Sequence, residues 1–189
     1  VKKGKVIFLN GTSSSGKTSL TKKIQELSAE PYFHLSLDVY ENMGPERHLE
    51  RDYWGILNMA ASAMHHSIAT FSDRGLNVVV DTVLLEIPQE ATWLPECAEV
   101  LHDYPVLFVG VHCPLPELER RELERGDREI GQAKWQWDKV HTHGLYDLEI
   151  NTHETPSDAC AAQIFAALEG LEPGQGAFAE LHRRFTKEQ

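Results

Sequence analysis

Short apolar runs alternate along the chain with longer stretches in which apolar side chains return at helical spacing. The runs at 5–10, 34–38, 77–82, 106–111 and 146–151 have the length and composition of strands buried on both faces. Helical patterns lie between them at 16–27, 52–72, 88–101, 116–125 and 157–168. In the longest of these, Tyr53, Ile56, Leu57, Ala60, Met64 and Ile68 form the apolar stripe, and Gly75 is placed to end it. A polar stretch at 41–51, interrupted by Gly44-Pro45, reads as a loop or a short helix. The polar and aromatic stretch 125–143 reads as a lid. Strands alternating with helices predict an α/β fold, a five-stranded parallel sheet with helices on both faces and right-handed connections. Residues 1–170 form one predicted domain. Pro173-Gly174-Gln175-Gly176 then breaks the chain before a tail, 171–189, in which Phe178, Leu181 and Phe185 share a face. That face either folds back on the domain or meets a second subunit, so a homo-oligomer stays open.

The first strand runs into Gly11-Thr12-Ser13-Ser14-Ser15-Gly16-Lys17-Thr18, with a helix beginning by Ser19. Glycine, four residues, then Gly-Lys-Thr between a strand and a helix is the phosphate-binding loop pattern. Glycines at the two ends permit a sharp turn, the turn points backbone N–H groups inward, and the helix adds its positive end. Lys17 adds a full charge for the β- and γ-phosphates, and the Thr18 hydroxyl is placed to ligate Mg²⁺. Residues 11–19 are therefore the candidate ATP-binding set, and the expected fold is three-layer α/β/α with a P-loop.

Ligands in such sheets bind beyond the carboxyl ends of the strands. Asp38 and Asp81 both stand there. Each can take a proton from a substrate hydroxyl or hold Mg²⁺, and position alone does not say which does which. Arg121, Arg125 and Arg128 are spaced to share one face if their helix continues. Either Glu117 and Glu124 neutralise them on a solvated face, or they close over phosphates. The stretch Asn151-Thr152-His153-Glu154-Thr155-Pro156 follows the last strand and should lie against the phosphate loop, which makes Thr152 a nucleotide-side candidate. Trp135, Trp137 and His141 either pack on an organic substrate or fill the core beneath the lid.

Charge and cysteine usage narrow the partners. The 189 residues carry a formal charge of −11, which argues against nucleic acid or an anionic membrane. An anionic nucleotide must then be held by a local cluster of cations. Three scattered cysteines, Cys97, Cys113 and Cys160, and the lack of a leader-like or membrane-length apolar run predict a cytoplasmic protein. Ten histidines show no metal-site spacing.

Several stretches together resemble the chloramphenicol phosphotransferase family. They are Ile7-Phe8-Leu9-Asn10-Gly11 with Ser13-Ser14 and Gly16-Lys17, Val78-Val79-Val80-Asp81, and Phe108-Val109-Gly110-Val111-His112-Cys113. Further on come Arg121-Glu122, Arg125-Gly126-Asp127-Arg128, Gln136, Val140-His141, Tyr146-Asp147, Glu149 and Asn151-Thr152. The resemblance spans about 5–168 and implies a three-layer α/β/α P-loop kinase fold. It implies that Asp38 deprotonates a substrate hydroxyl and that Lys17, Arg125 and Arg128 steady the phosphoryl group in flight. The expected activity is transfer of the γ-phosphate of Mg·ATP to a hydroxyl of a small molecule, a chloramphenicol-like antibiotic first. A nucleotide or metabolite kinase of the same fold and a non-catalytic ATP-binding regulator are the alternatives.

Overall fold

The computed structural model describes residues 2–126 and 130–187. Five parallel strands, β1 (Val6–Asn10), β2 (Tyr32–Ser36), β3 (Asn77–Thr82), β4 (Val106–His112) and β5 (Leu148–Asn151), pair in the order β2-β3-β1-β4-β5. β1 lies in the middle, with Phe8 level with both Val80 and Phe108. Its five residues are all buried, as expected for a strand covered on both faces. The alternation of side chains splits β1 between two cores. Ile7 and Leu9 face α1 (Lys17–Leu27) and α8 (Ser157–Leu168), through Leu20, Ile24, Ile164 and Leu168. Val6 and Phe8 face α4 (Tyr53–Asp73) and α5 (Trp93–Leu101), through Met64, Ile68, Trp93 and Leu101. The three-layer α/β/α fold with a five-stranded parallel sheet is thus the observed one.

Several element boundaries differ from those expected. The last strand starts at Leu148 rather than at 146, because Asp147 is used as a clamp. Its Oδ2 accepts from Phe108 N at 2.8 Å and its Oδ1 from Ala177 N at 2.7 Å. The expected helix 88–101 is a 3₁₀ turn (Pro88–Glu90) followed by α5. The polar stretch 41–51 carries a short helix, α3 (Glu46–Leu49). The second strand stops at Ser36, so Asp38 is not a strand terminus: it lies in the first turn of α2 (Leu37–Glu41).

The tail folds back. α9 (Ala177–Lys187) lies beside α5, and Phe178 is buried among the rings of Phe8 and Phe108, with centroids 5.1 and 4.8 Å away. Leu181 and Phe185 belong to the same cluster. Removing a fully buried ring from such a cluster costs about 3–5 kcal/mol. Phe178→Ala should therefore lower the unfolding free energy by about that amount in a urea titration; a loss under about 1 kcal/mol would show that α9 does not complete the core.

Candidate active site

Two different constraints make the bend between β1 and α1 possible. Gly16 has φ 94°, a left-handed conformation that disfavours side chains, and Ser14 shares it at φ 62°. Gly11 is needed for closeness rather than for its backbone angle: a Cβ there would stand 2.4 Å from the Val111 carbonyl oxygen. Lys17 is buried, and its ammonium donates to the carbonyls of Gly11 and Thr12, both at 2.9 Å. The hydroxyls of Ser13, Ser14 and Ser15 are buried without a partner among the described residues. Such orphaned groups fit a loop shaped to receive an oxygen-rich ligand.

Thr18 and Asp81 come together at the carboxyl end of β3. Thr18 Oγ1 donates to Asp81 Oδ2 at 2.7 Å, and the Lys17 ammonium is 3.8 Å from Asp81 Oδ1. A hydroxyl and a carboxylate in contact beside a phosphate loop suit Mg²⁺, which keeps most of its waters and takes few protein ligands. Among the described residues there is no group of three or more His, Cys, Asp or Glu that could hold a metal.

Arg121 is neither a solvated charge nor a lone phosphate hook. Its Nε donates to Glu117 at 2.7 Å, while its two terminal nitrogens donate to Thr152 Oγ1 and the Thr152 carbonyl, both at 3.1 Å. Thr152 Oγ1 in turn donates to the Ser15 carbonyl at 2.6 Å. The expected link between the loop after the last strand and the phosphate loop therefore exists, with Arg121 of α6 (Leu115–Arg125) attached to it. Glu124 pairs with Arg120 instead. Arg125, at the last residue of α6, lines the cleft. Arg128 lies outside the described residues.

One cleft of about 940 Å³ gathers these groups. Gly16, Lys17, Thr18, Ser19, Asp38, Asp81, Arg121, Arg125 and Thr152 all line it. So do Tyr53, Trp54, Leu57 and Trp93. Trp135 borders it, and Trp135 and Trp137 are both about half exposed, so neither fills a core.

Three polar residues that fasten α7 and the segment after it stood in the sequence only as marks of the resemblance, without a role. Gln136 Oε1, on α7 (Gln132–Trp137), accepts from Ser13 N at 2.6 Å, so it holds one phosphate-loop amide. Glu122 is buried and accepts from Gly131 N and Ala133 N at 2.7 and 2.9 Å, which satisfies the start of α7. Asn10 donates to the Val140 carbonyl and to the Tyr146 hydroxyl, and accepts from Leu84 N. Polar residues ending an apolar strand, or buried in a charged helix, were the available signals.

The Tyr146 hydroxyl also meets His141 Nδ1 at 2.7 Å and His143 Nε2 at 3.0 Å. A phenol has one proton, so it donates to one imidazole and accepts from the other. Burial, then the neighbouring His112, His143 and Lys17, push the His141 imidazole down to about 3, and burial raises the Tyr146 phenol. The cluster is therefore neutral at physiological pH.

A family model described as "Chloramphenicol phosphotransferase-like protein" matches residues 4–169. The chain belongs to the chloramphenicol phosphotransferase-like family. Within the curated proteins, this family member is 32% identical over 206 residues to a protein named "Putative O-phosphotransferase" in two Mycobacterium tuberculosis strains, covering 96% of this chain and 89% of each relative. Solved structures with the same fold include an APS kinase from M. tuberculosis in complex with AMPPNP and APS (TM-score 0.65, 17% identity, 90% of this chain and 100% of that one). A shikimate kinase from Acinetobacter baumannii in complex with shikimate is similar too (TM-score 0.60, 13% identity, 89% and 94%). The family and its curated relatives support a phosphotransferase of the kinase type. Among the described residues, no helix is long and apolar enough to cross a membrane.

The neutral cluster gives a testable pH behaviour. An unfolded imidazole takes a proton near 6.5, whereas His141 in the fold resists it down to about 3. The unfolded chain thus binds more protons across that interval, so this residue's contribution to stability is constant above it and is lost as pH falls through it. The His141 ring signals in an NMR titration should stay at their neutral positions from about pH 8 to 5; a midpoint near 6 would contradict the buried network.

Proposed function

We propose that this chain is an ATP-dependent O-phosphotransferase acting on a hydroxyl of a small organic molecule. The supporting observation is the shared cleft, in which Asp38 on α2 and the phosphate loop line one cavity with Tyr53, Trp54 and Trp93. On this reading the loop 11–18, with Ser19, Arg121 and Thr152, binds ATP. Thr18 and Asp81 would hold Mg²⁺, which when bound supplies charge neutralisation between phosphate oxygens. The acceptor hydroxyl lies against Asp38. Its oxygen forms a bond to the γ-phosphorus as the bond from that phosphorus to the bridging oxygen of ADP breaks, and Asp38 takes the hydroxyl proton. Lys17, Arg125 and Arg128 offset the charge on the phosphoryl group, and closure of the lid over about 125–143 keeps water out.

Chloramphenicol and related hydroxylated antibiotics are the first acceptors to test, and a cytoplasmic enzyme conferring resistance is the accompanying role. A screen of acceptors with γ-labelled ATP separates them from nucleotides and other metabolites. Asp38→Ala should lower kcat by about 10²–10⁴-fold while ATP binding survives. Lys17→Ala should weaken nucleotide binding and transfer together. Unchanged turnover in the first variant would remove Asp38 from the mechanism, and ATP binding with no transfer to any acceptor would favour a nucleotide-dependent regulator.

A further inference from the structure

The cleft lining divides by element into a mixed-charge half and an acidic half. The phosphate loop, α6 and the end of β3 bring Lys17, Arg121 and Arg125 together with Glu124 and Asp81, whereas α2 and the connection from β3 to α5 bring Asp38, Glu41 and Glu90. Among the described residues, α2, α4, α5 and that connection contribute no lysine or arginine to the lining. His34 stands at the junction, its Nε2 3.8 Å from Asp81. The remaining walls of the acidic half are aromatic or aliphatic: Tyr53, Trp54, Leu57, Leu85 and Trp93.

Glu90 is the unusual member. It lines the cavity although only 6% of its surface is exposed, and its Oε2 accepts from Leu85 N at 2.9 Å. Burial raises its carboxyl to about 7 against the lowering effect of that one amide. It also acts on the same phenol as its acidic neighbours: burial first, then Glu41, Glu90 and Asp38, push the Tyr53 hydroxyl up. A sequence reading gives Glu90 no role, since it sits in an ordinary Pro-Gln-Glu turn.

We propose that Glu90 is a specificity-determining residue of the acceptor site, and that with Asp38 and Glu41 it rejects anionic acceptors and takes an uncharged or amine-bearing alcohol. The inference rests on the phosphotransfer reading only for calling this half the acceptor side. A carboxylate, sulfate or phosphate brought here meets like charge in a cavity walled by apolar rings, where screening is weak. A neutral Glu90 donates its proton to an acceptor oxygen, and an ionised one pairs with an ammonium, so both permitted classes find a partner.

The test uses two series, each holding a skeleton fixed while its charge changes. One is phenylethanolamine, styrene glycol and mandelate; the other is deacylated chloramphenicol, chloramphenicol and an N-succinyl derivative of its amine. Binding to the Mg·AMPPNP-loaded protein is measured by calorimetry, and transfer by labelled ATP. The anion should bind at least about tenfold more weakly than the better of its two counterparts in at least one series. Glu90→Gln, which keeps an oxygen for the Leu85 amide, should narrow that gap severalfold at an unchanged melting temperature, and Glu41→Gln should narrow it independently. Anions that bind as well as their counterparts in both series, or a gap indifferent to Glu90→Gln, would overturn the assignment. Charge-ordered binding without phosphate transfer would instead overturn the catalytic reading and leave this one standing.

Discussion

Burying the Lys17 ammonium against the phosphate loop costs several kcal/mol unless oxygens replace the water it loses. The fold supplies them from two directions: the carbonyls of Gly11 and Thr12 from the loop itself, and Asp81 from the neighbouring strand. Parallel pairing of β1 with β3, which sets Leu9 level with Asp81, is what brings that carboxylate within reach. The same pairing seats Thr18 against Asp81, so the positions of the lysine, the hydroxyl and the carboxylate are set together. A slip in the β1–β3 register would disturb all three.

Around this centre the site is held by polar groups that reach across the sheet ends. Arg121, Thr152 and Ser15 form a chain from α6 to the loop, and Gln136 and Asn10 tie the segment around α7 to the other side of it. Each link satisfies a buried group that would otherwise be costly to leave alone, which makes the loop's shape a shared property of three connections. The segment carrying α7 is consequently tied to the loop at Ser13.

Much of the fold was legible because strands buried on both faces read as unbroken apolar runs. Val6-Ile7-Phe8-Leu9 and Val78-Val79-Val80 are of that kind, and the glycine spacing of the loop follows from chain geometry. The candidate site was legible as far as its residues stand in that frame: Asp38, Asp81, Arg121, Arg125 and Thr152 line one cleft. Asp38 was misplaced on a strand end because Leu35 and Leu37 continue the alternation; the chain instead turns into α2 after Ser36. The roles of Asn10, Glu90, Glu122 and Gln136 were not legible, although three of the four stood among the marks of the resemblance, because a buried polar residue acquires its meaning from partners distant in sequence. Gln136 and Ser13 are 123 positions apart, and no local pattern encodes such a meeting.

The ring of Phe178 lies against those of Phe8 and Phe108, so the first strand of the sheet waits for one of the last helices to finish its surroundings. During synthesis the nascent chain would carry an open aromatic face over most of its length as it leaves the ribosome. That face closes only once α9 has emerged and docked, whatever follows it in the chain.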